Sequence, residues 1–199
     1  MWRLSIAAGL SFTYPFRSLH LLLFYVILMG MKELMINILK PFSFLPAILI
    51  MYAIFTLSGQ PGNASADLSY KVSYKIVELK SRLANEYKDE YQLAYEAELI
   101  HGKVRKAAHM TEYFCLAIAV SFPFYVYGLR GIPLMLVAGV ICVGFAGLDE
   151  YHQSFVAGRG PSKRDVAIDS IGIFFGILAV RIFCWIFLLL LPKKRSRRR

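Results

Sequence analysis

The stretch VAIDSIGIFFGILAVRIFCWIFLLLL, Val166 to Leu191, is followed at once by PKKRSRRR, Pro192 to Arg199. An α-helix needs roughly 17–25 mainly apolar residues to cross about 30 Å of hydrocarbon, and this run supplies them with enough left over to tilt. Lys193, Lys194, Arg195, Arg197, Arg198 and Arg199 then crowd against its end. A basic cluster beside an apolar span holds that end on the cytoplasmic side of a membrane. These six residues carry most of the net charge of +10, which leaves the rest of the chain at only +4. Positive charge confined in this way does not point to nucleic acid; the implied partner is the lipid bilayer.

The rest of the 199 residues agrees. Hydrophobic residues make up 57% and charged residues only 18%, against about 25% charged in soluble domains. Three more spans are expected. Phe42 to Leu57 is closed by the turn-forming run Ser58-Gly59-Gln60-Pro61-Gly62. Ala107 to Leu129 carries Pro123, which is tolerable inside a bundle. Ile132 to Leu148 has Pro133 in its first turn. The fold class is therefore an all-α integral membrane protein with about four transmembrane helices plus an external amphipathic helical region.

Residues 40–192 form the membrane domain on this reading, and 193–199 a basic cytoplasmic tail. Residues 1–39 are an N-terminal extension or an extra membrane-associated segment. Leu19 to Met29 is short for a span, Arg17 interrupts any longer version, and Met31 and Met35 are alternative start sites. No small-residue cleavage site marks a signal peptide. The external region has two helices. Leu68, Val72, Ile76, Leu79 and Leu83 fall at three- and four-residue steps within Asp67 to Leu83. Leu93, Ala97, Ile100 and Val104 share a face between Glu86 and Arg105, a helix free to run on into the second span. Such helices lie on the membrane surface or cap the bundle, and a lid over a site is the functional alternative.

With the C-terminus inside, the loop 149–165 and the helical region are outside, while Lys32, Lys40 and Arg130 are inside. Arg159, Lys163 and Arg164 dissent from the charge rule, with acidic neighbours beside them. Cys115, Cys142 and Cys184 lie in separate apolar stretches with no Cys-x-x-Cys pair, so they read as buried small residues. Arg181, deep in the last span, snorkels or meets a polar group.

Ionisable groups at span ends need partners or water, so their clustering points to function. In VRKAAHMTEY, Val104 to Tyr113, Lys106, His109 and Tyr113 share a helical face with Glu112 beside them. In LDEYHQ, Leu148 to Gln153, Glu150 and Gln153 continue a face formed by Cys142 and Ala146, and His152 adds an imidazole. In GRGPSKRD, Gly158 to Asp165, Arg159 sits between glycines. Asp165, Asp169, Gly172 and Gly176 then make one stripe, whose small residues let another helix approach.

The stretches VRKAAHMTEY and LDEYHQSFVAGRGPSKRDVAIDSIGIFFG resemble the two signature regions of the VanZ-like family, and SGQPGNAS resembles its segment after the first span. The likeness covers most of Lys40 to Leu191 and leaves the first thirty residues unmatched. The family's polar positions fall on Lys106, His109, Glu112, Tyr113, Glu150, Gln153, Arg159 and Asp165. Asp169 stands where related sequences have Asp or Asn. The resemblance implies a multi-pass protein of the bacterial plasma membrane, in a family whose founding member is associated with low-level teicoplanin resistance. It implies no particular reaction.

Three readings of the cluster stay open. One is a binding module for an anionic head group or a lipid-linked or cell-wall molecule, with Arg159 in its Gly-Arg-Gly loop capturing the anion. Another is a membrane-embedded enzyme on such molecules. There His109 is the general acid or base, Lys106 and Arg159 receive a phosphate, and Glu112, Glu150, Asp165 and Asp169 orient the histidine or hold a divalent ion. No His-Glu-x-x-His, Gly-x-Ser-x-Gly or phosphate-binding glycine loop supports a known enzyme class, and no cofactor or metal is assigned. The third reading is an ion-pair network that fixes helix register, with Arg105, Lys106 and Arg159 neutralising the acids. Whether His109, Glu112, Glu150 and Arg159 converge on an open pocket or pack without one separates these readings.

Overall fold

The computed structural model of the chain describes residues 26–190, except 28, 32 and 36. The basic tail, Leu191, Arg17 and the start of the Leu19–Met29 segment lie outside the described residues. The chain divides into two units, 1–41 and 42–199. In the first, the described residues from 26 to 39 are helical and expose Val26, Met31, Leu34 and Ile38.

A 3-10 turn, Lys40–Phe44, follows. Pro41, which has no N–H to donate, falls within it, so the expected span start at Phe42 coincides with an interruption of α-helical bonding rather than a helix end. Among its described residues the second unit has five α-helices: α1 Leu45–Ser58, α2 Gly62–Leu83, α3 Glu90–Val126, α4 Gly131–Gln153 and α5 Lys163–Leu190. No strand occurs among the described residues. Among the described residues three helices are long and apolar enough to cross a membrane: Met29–Ser58, Gly131–Gln153 and Lys163–Phe187.

α3 joins what the composition divides. Its first turn is nucleated by a capping box, in which Gln92 N donates to Asp89 Oδ1 (2.7 Å) and Asp89 N donates to Gln92 Oε1 (3.3 Å). From there it runs unbroken through the polar stretch around Arg105 and into the apolar one. The change at Ala107 is a change of polarity, and neither Gly102 nor any proline before Pro123 breaks the backbone. Of the two options open at Arg105, the continuous helix is the one realised, about 55 Å long at 1.5 Å per residue.

α2 packs along the first half of α3 as a hairpin, and the face it uses is not its apolar stripe. Ser73, Val77 and Ser81 are buried, whereas Leu68, Val72, Ile76, Leu79 and Leu83 are 43–79% exposed. The α3 face meeting it contains the buried Ala97, flanked by the half-buried Leu93, Ile100 and Val104. Small side chains bring two helix backbones close, so the serine face makes the tighter seam. Lys88 closes the hairpin turn: its Nζ lies 2.7 Å from Glu96 Oε1 and 3.4 Å from Glu86 Oε2. The Glu96 hydrogen bond chiefly raises its pKa above the usual lysine value.

α5 packs more extensively on α3 than on any other helix. At Gly172 an added Cβ would come 2.2 Å from the Met110 carbonyl oxygen, and at Gly176 it would come 2.5 Å from that of Phe114. Both numbers rise together along the seam, so α3 and α5 run parallel, and α4, which joins them in sequence, runs the opposite way. The core behind this seam holds Tyr113, Leu116, Ala117, Cys142, Ile173 and Ile177, with Ile54 of α1 packed in. Of the three cysteines only Cys142 is buried; Cys115 is exposed on the outer side of α3, which corrects the reading of all three as core. Near the other end Arg181 donates to Met135 Sδ at 2.8 Å.

A side chain at Gly176 cannot enter the seam without separating two backbones. Gly176→Val is expected to destabilise the protein by about 1–3 kcal/mol, the usual range for overpacking, and to lower its unfolding temperature in detergent. Gly144→Ala on α4, where nothing lies within 4 Å, is expected to leave that temperature within a degree or two of wild type.

Candidate functional site

α1 and α4 end, and α5 begins, at one end of the bundle beside the middle of α3. The loops there are tied together: Gly62 N donates to the Ala157 carbonyl at 3.0 Å, and a Cβ at Gly62 would lie 2.3 Å from the Gly158 oxygen. Gly158 itself has φ +74°, a conformation other residues rarely adopt.

The last turn of α4 turns three polar side chains inward. Asp149, Glu150 and Gln153 are all buried, Asp149 to 2% exposure. Asp149 Oδ2 accepts from Ser58 Oγ at 2.8 Å and from Gln153 Nε2 at 2.9 Å. Gln153 Oε1 accepts from Arg159 Nη1 at 3.0 Å. One chain of bonds therefore runs from the end of α1 through α4 to the loop arginine. Glu150 instead fixes the start of α5, where its Oε1 accepts from the Ser162 N–H at 2.6 Å. The Ser162 hydroxyl in turn caps the helix, accepting from Asp165 N at 3.3 Å.

Beside this network lies a cavity of about 180 Å³. Gly102, Arg105, Lys106 and His109 line it from α3, Glu150 and Gln153 from α4, and Asp165, Ile168 and Asp169 from α5. His109 Nδ1 stands 3.5 Å from Glu112 Oε2, one helical turn apart and longer than a hydrogen bond, a contact that is an ion pair only when the imidazole is protonated. No lysine or arginine nitrogen in the wall comes within 4.0 Å of a carboxylate oxygen there. Arg105 and Arg159 are close enough for their charges to act on each other and on His109. Burial, and after it the Arg105 guanidinium, lower the pKa of Arg159 below the ordinary arginine value.

The ten expected residues divide in three. Lys106, His109, Glu150, Gln153, Asp165 and Asp169 line the cavity, and Arg159 joins it through Gln153. Glu112 and Tyr113 lie behind its wall, Glu112 against His109 and Tyr113 fully buried. His152 points elsewhere, its ring stacked on Phe55 of α1 at 4.0 Å between centroids. Glu112 Oε2, the Tyr113 hydroxyl, Asp149 Oδ1 and Arg159 Nε are buried without a hydrogen-bond partner. Among the described residues no three His, Cys, Asp or Glu side chains are grouped to hold a metal ion.

Sequence reasoning passed over Asp149, Ser58 and Gly102 and treated Arg105 only as a counter-charge. A signal for Asp149 was present: Cys142, Ala146, Asp149 and Gln153 make one continuous helical stripe. Ser58, at the end of an apolar helix, carried none. Asp149→Ala is expected to destabilise the protein by about 1–3 kcal/mol for each buried donor left unpaired. Asp149→Asn keeps a carbonyl acceptor and is expected to lose less; thermal unfolding of the two purified variants measures the difference.

The family model described as VanZ/LLP1 matches residues 43–188, which include every residue lining the cavity. No curated protein and no solved structure matches the chain. With most of its length matched, and with three apolar helices consistent with a multi-pass membrane protein, the chain belongs to the VanZ/LLP1 family.

Proposed function

We propose that this is a multi-pass protein of the bacterial plasma membrane whose cavity binds a polar component of the cell envelope, and that this binding lowers susceptibility to glycopeptide antibiotics such as teicoplanin. The observation that carries the reading is the unpaired charge around the cavity. A network built only to fix helix register would close in ion pairs. Here cations on α3 face carboxylates on α4 and α5 across open space. The drug class comes from the family resemblance alone.

The second half of α3 completes a four-span bundle on this reading. Ile118, Phe122 and Tyr125 run beside Ala179, Phe183 and Phe187 of α5, so if α5 crosses the membrane its parallel neighbour passes through the same depth. The basic tail then lies in the cytoplasm, the cavity opens outward, and the α2–α3 hairpin stands outside. Arg159, Lys163 and Arg164 tolerate that position because Arg159 is held by Gln153 and acidic groups surround the loop. Green fluorescent protein fused after Arg199 is expected to fluoresce, and alkaline phosphatase fused there to stay inactive. The reverse pattern would invert the topology.

One observation favours an enzyme as the second reading. His109 lines the cavity with a carboxylate 3.5 Å from one of its nitrogens, an arrangement that can orient an imidazole for proton transfer.

Teicoplanin susceptibility of a deletion host decides the binding role. Wild-type protein is expected to protect, and His109→Ala, Glu150→Gln and Arg159→Ala to lose most of that protection at unchanged membrane levels by blot. Protection that survives all three changes at normal levels removes the cavity from the function. Protection that never appears removes the antibiotic from it.

A further inference from the structure

We propose that the group held in the cavity is a small zwitterion, with a primary ammonium against Asp165 and Asp169 and an oxyanion against Arg105 and Lys106. This rests on the reading of the cavity as a binding site and names what it binds.

Of the charged groups around the cavity, Glu150 accepts the Ser162 N–H, Arg159 donates to Gln153, and His109 stands against Glu112. Asp169 is 6% exposed and lines the cavity, yet its carboxylate has no hydrogen bond and no ion pair among the described residues. Asp165, one turn earlier on the same stripe of α5, engages Ser162 only through its backbone N–H. On the facing wall neither Arg105 nor Lys106 has a carboxylate within 4.0 Å. Two carboxylates and two cations thus remain on opposite sides of one space.

The Asp169 carboxylate opens on the cavity and is not sealed inside protein, so a ligand there can bring the donor that the protein does not supply. A lone anion would satisfy α3 and leave Asp169 bare. A lone cation would satisfy α5 and leave α3 bare. A ligand with both charges satisfies both walls and adds no net charge. Arg105 and Lys106 together suit an oxyanion with several acceptors, since arginine offers a planar fork and lysine a point charge. The cavity volume of about 180 Å³ is below the roughly 300–1,000 Å³ of pockets that enclose drug-sized ligands, so it takes a head group and not a whole wall precursor. Two sources share this chemistry: the phosphate and amine of an ethanolamine phospholipid, and the carboxylate and amine of a free amino acid or short peptide.

The test uses the purified full-length protein in detergent, titrated with dioctanoyl phosphatidylethanolamine, dioctanoyl phosphatidylglycerol, O-phosphoethanolamine, its N-acetyl derivative and glycylglycine. Saturable binding of at least one zwitterion is expected, with the phosphatidylglycerol and the N-acetyl compound at least tenfold weaker. Lys106→Gln and Asp165→Asn, both at positions with some solvent exposure, are each expected to weaken zwitterion binding tenfold or more, as is the buried Asp169→Asn if it folds. Binding of both ethanolamine probes assigns the phospholipid source, and binding of glycylglycine alone assigns the peptide source. Equal affinity for the two lipids, unchanged by Asp165→Asn, overturns the zwitterion. If no probe binds while the cavity variants still abolish protection from teicoplanin, the zwitterion falls and the cavity reading stands. If no probe binds and the variants protect normally, both fall.

Discussion

The contact on which the rest of the molecule depends is the one between the glycines of α5 and the backbone of α3. At Gly172 and Gly176 two helices approach until carbonyl oxygens occupy the space where side chains would be. In a lipid setting apolar surface gains little by leaving lipid for protein, so close van der Waals packing has to hold helices together. The seam also sets the register of the two helices. With Met110 against Gly172 and Phe114 against Gly176, Arg105 and Lys106 come level with Ala167 and Ile168, between Asp165 and Asp169. Polar residues on α3 and α5 are thereby brought to one level while their side chains diverge, and the cavity is the space that opens above the glycines.

The floor and frame of that space come from α4. Its last turn would leave an aspartate, a glutamate and a glutamine buried at the end of an apolar helix. Each finds a different use: Asp149 gathers Ser58 and Gln153, Gln153 passes a bond to Arg159, and Glu150 holds the α5 cap. Hydrogen bonds of this kind strengthen as water is excluded, and so does the penalty for any group left out. Tyr113, Asp149, His152 and Arg159 each retain a buried atom without a hydrogen-bond partner.

Much of this was legible in the sequence, for identifiable reasons. The apolar runs on α1, α4 and α5 and the Asp165–Gly176 stripe follow from residue spacing, because spacing on a helix is geometry. The polar cluster followed from the rarity of charge at span ends. Three features were not legible. The continuity of α3 was only one of two options, since a change from polar to apolar residues looks like a boundary and the backbone has no reason to stop there. The outward apolar stripe of α2 reverses the usual inference from amphipathicity, because a row of serines and a valine makes the closer helix contact. Asp149 looked secondary to Glu150, and only three-dimensional contact with Ser58, distant in sequence, shows which carboxylate is the hub.

The unbroken course of α3 has a mechanical consequence. Sharp helix bends arise at prolines or at local disruptions of the hydrogen-bond ladder, and the one proline of α3, Pro123, lies beyond the cavity. The stretch from Glu90 to Tyr113 is therefore a stiff lever arm, with the exposed leucines of α2 strapped to its outer end and Lys106 and His109 on its inner end. Glu150 and Asp169 belong to other helices and do not travel with it. One wall of the cavity is therefore continuous, through a single unbroken helix, with the end of the molecule that carries α2.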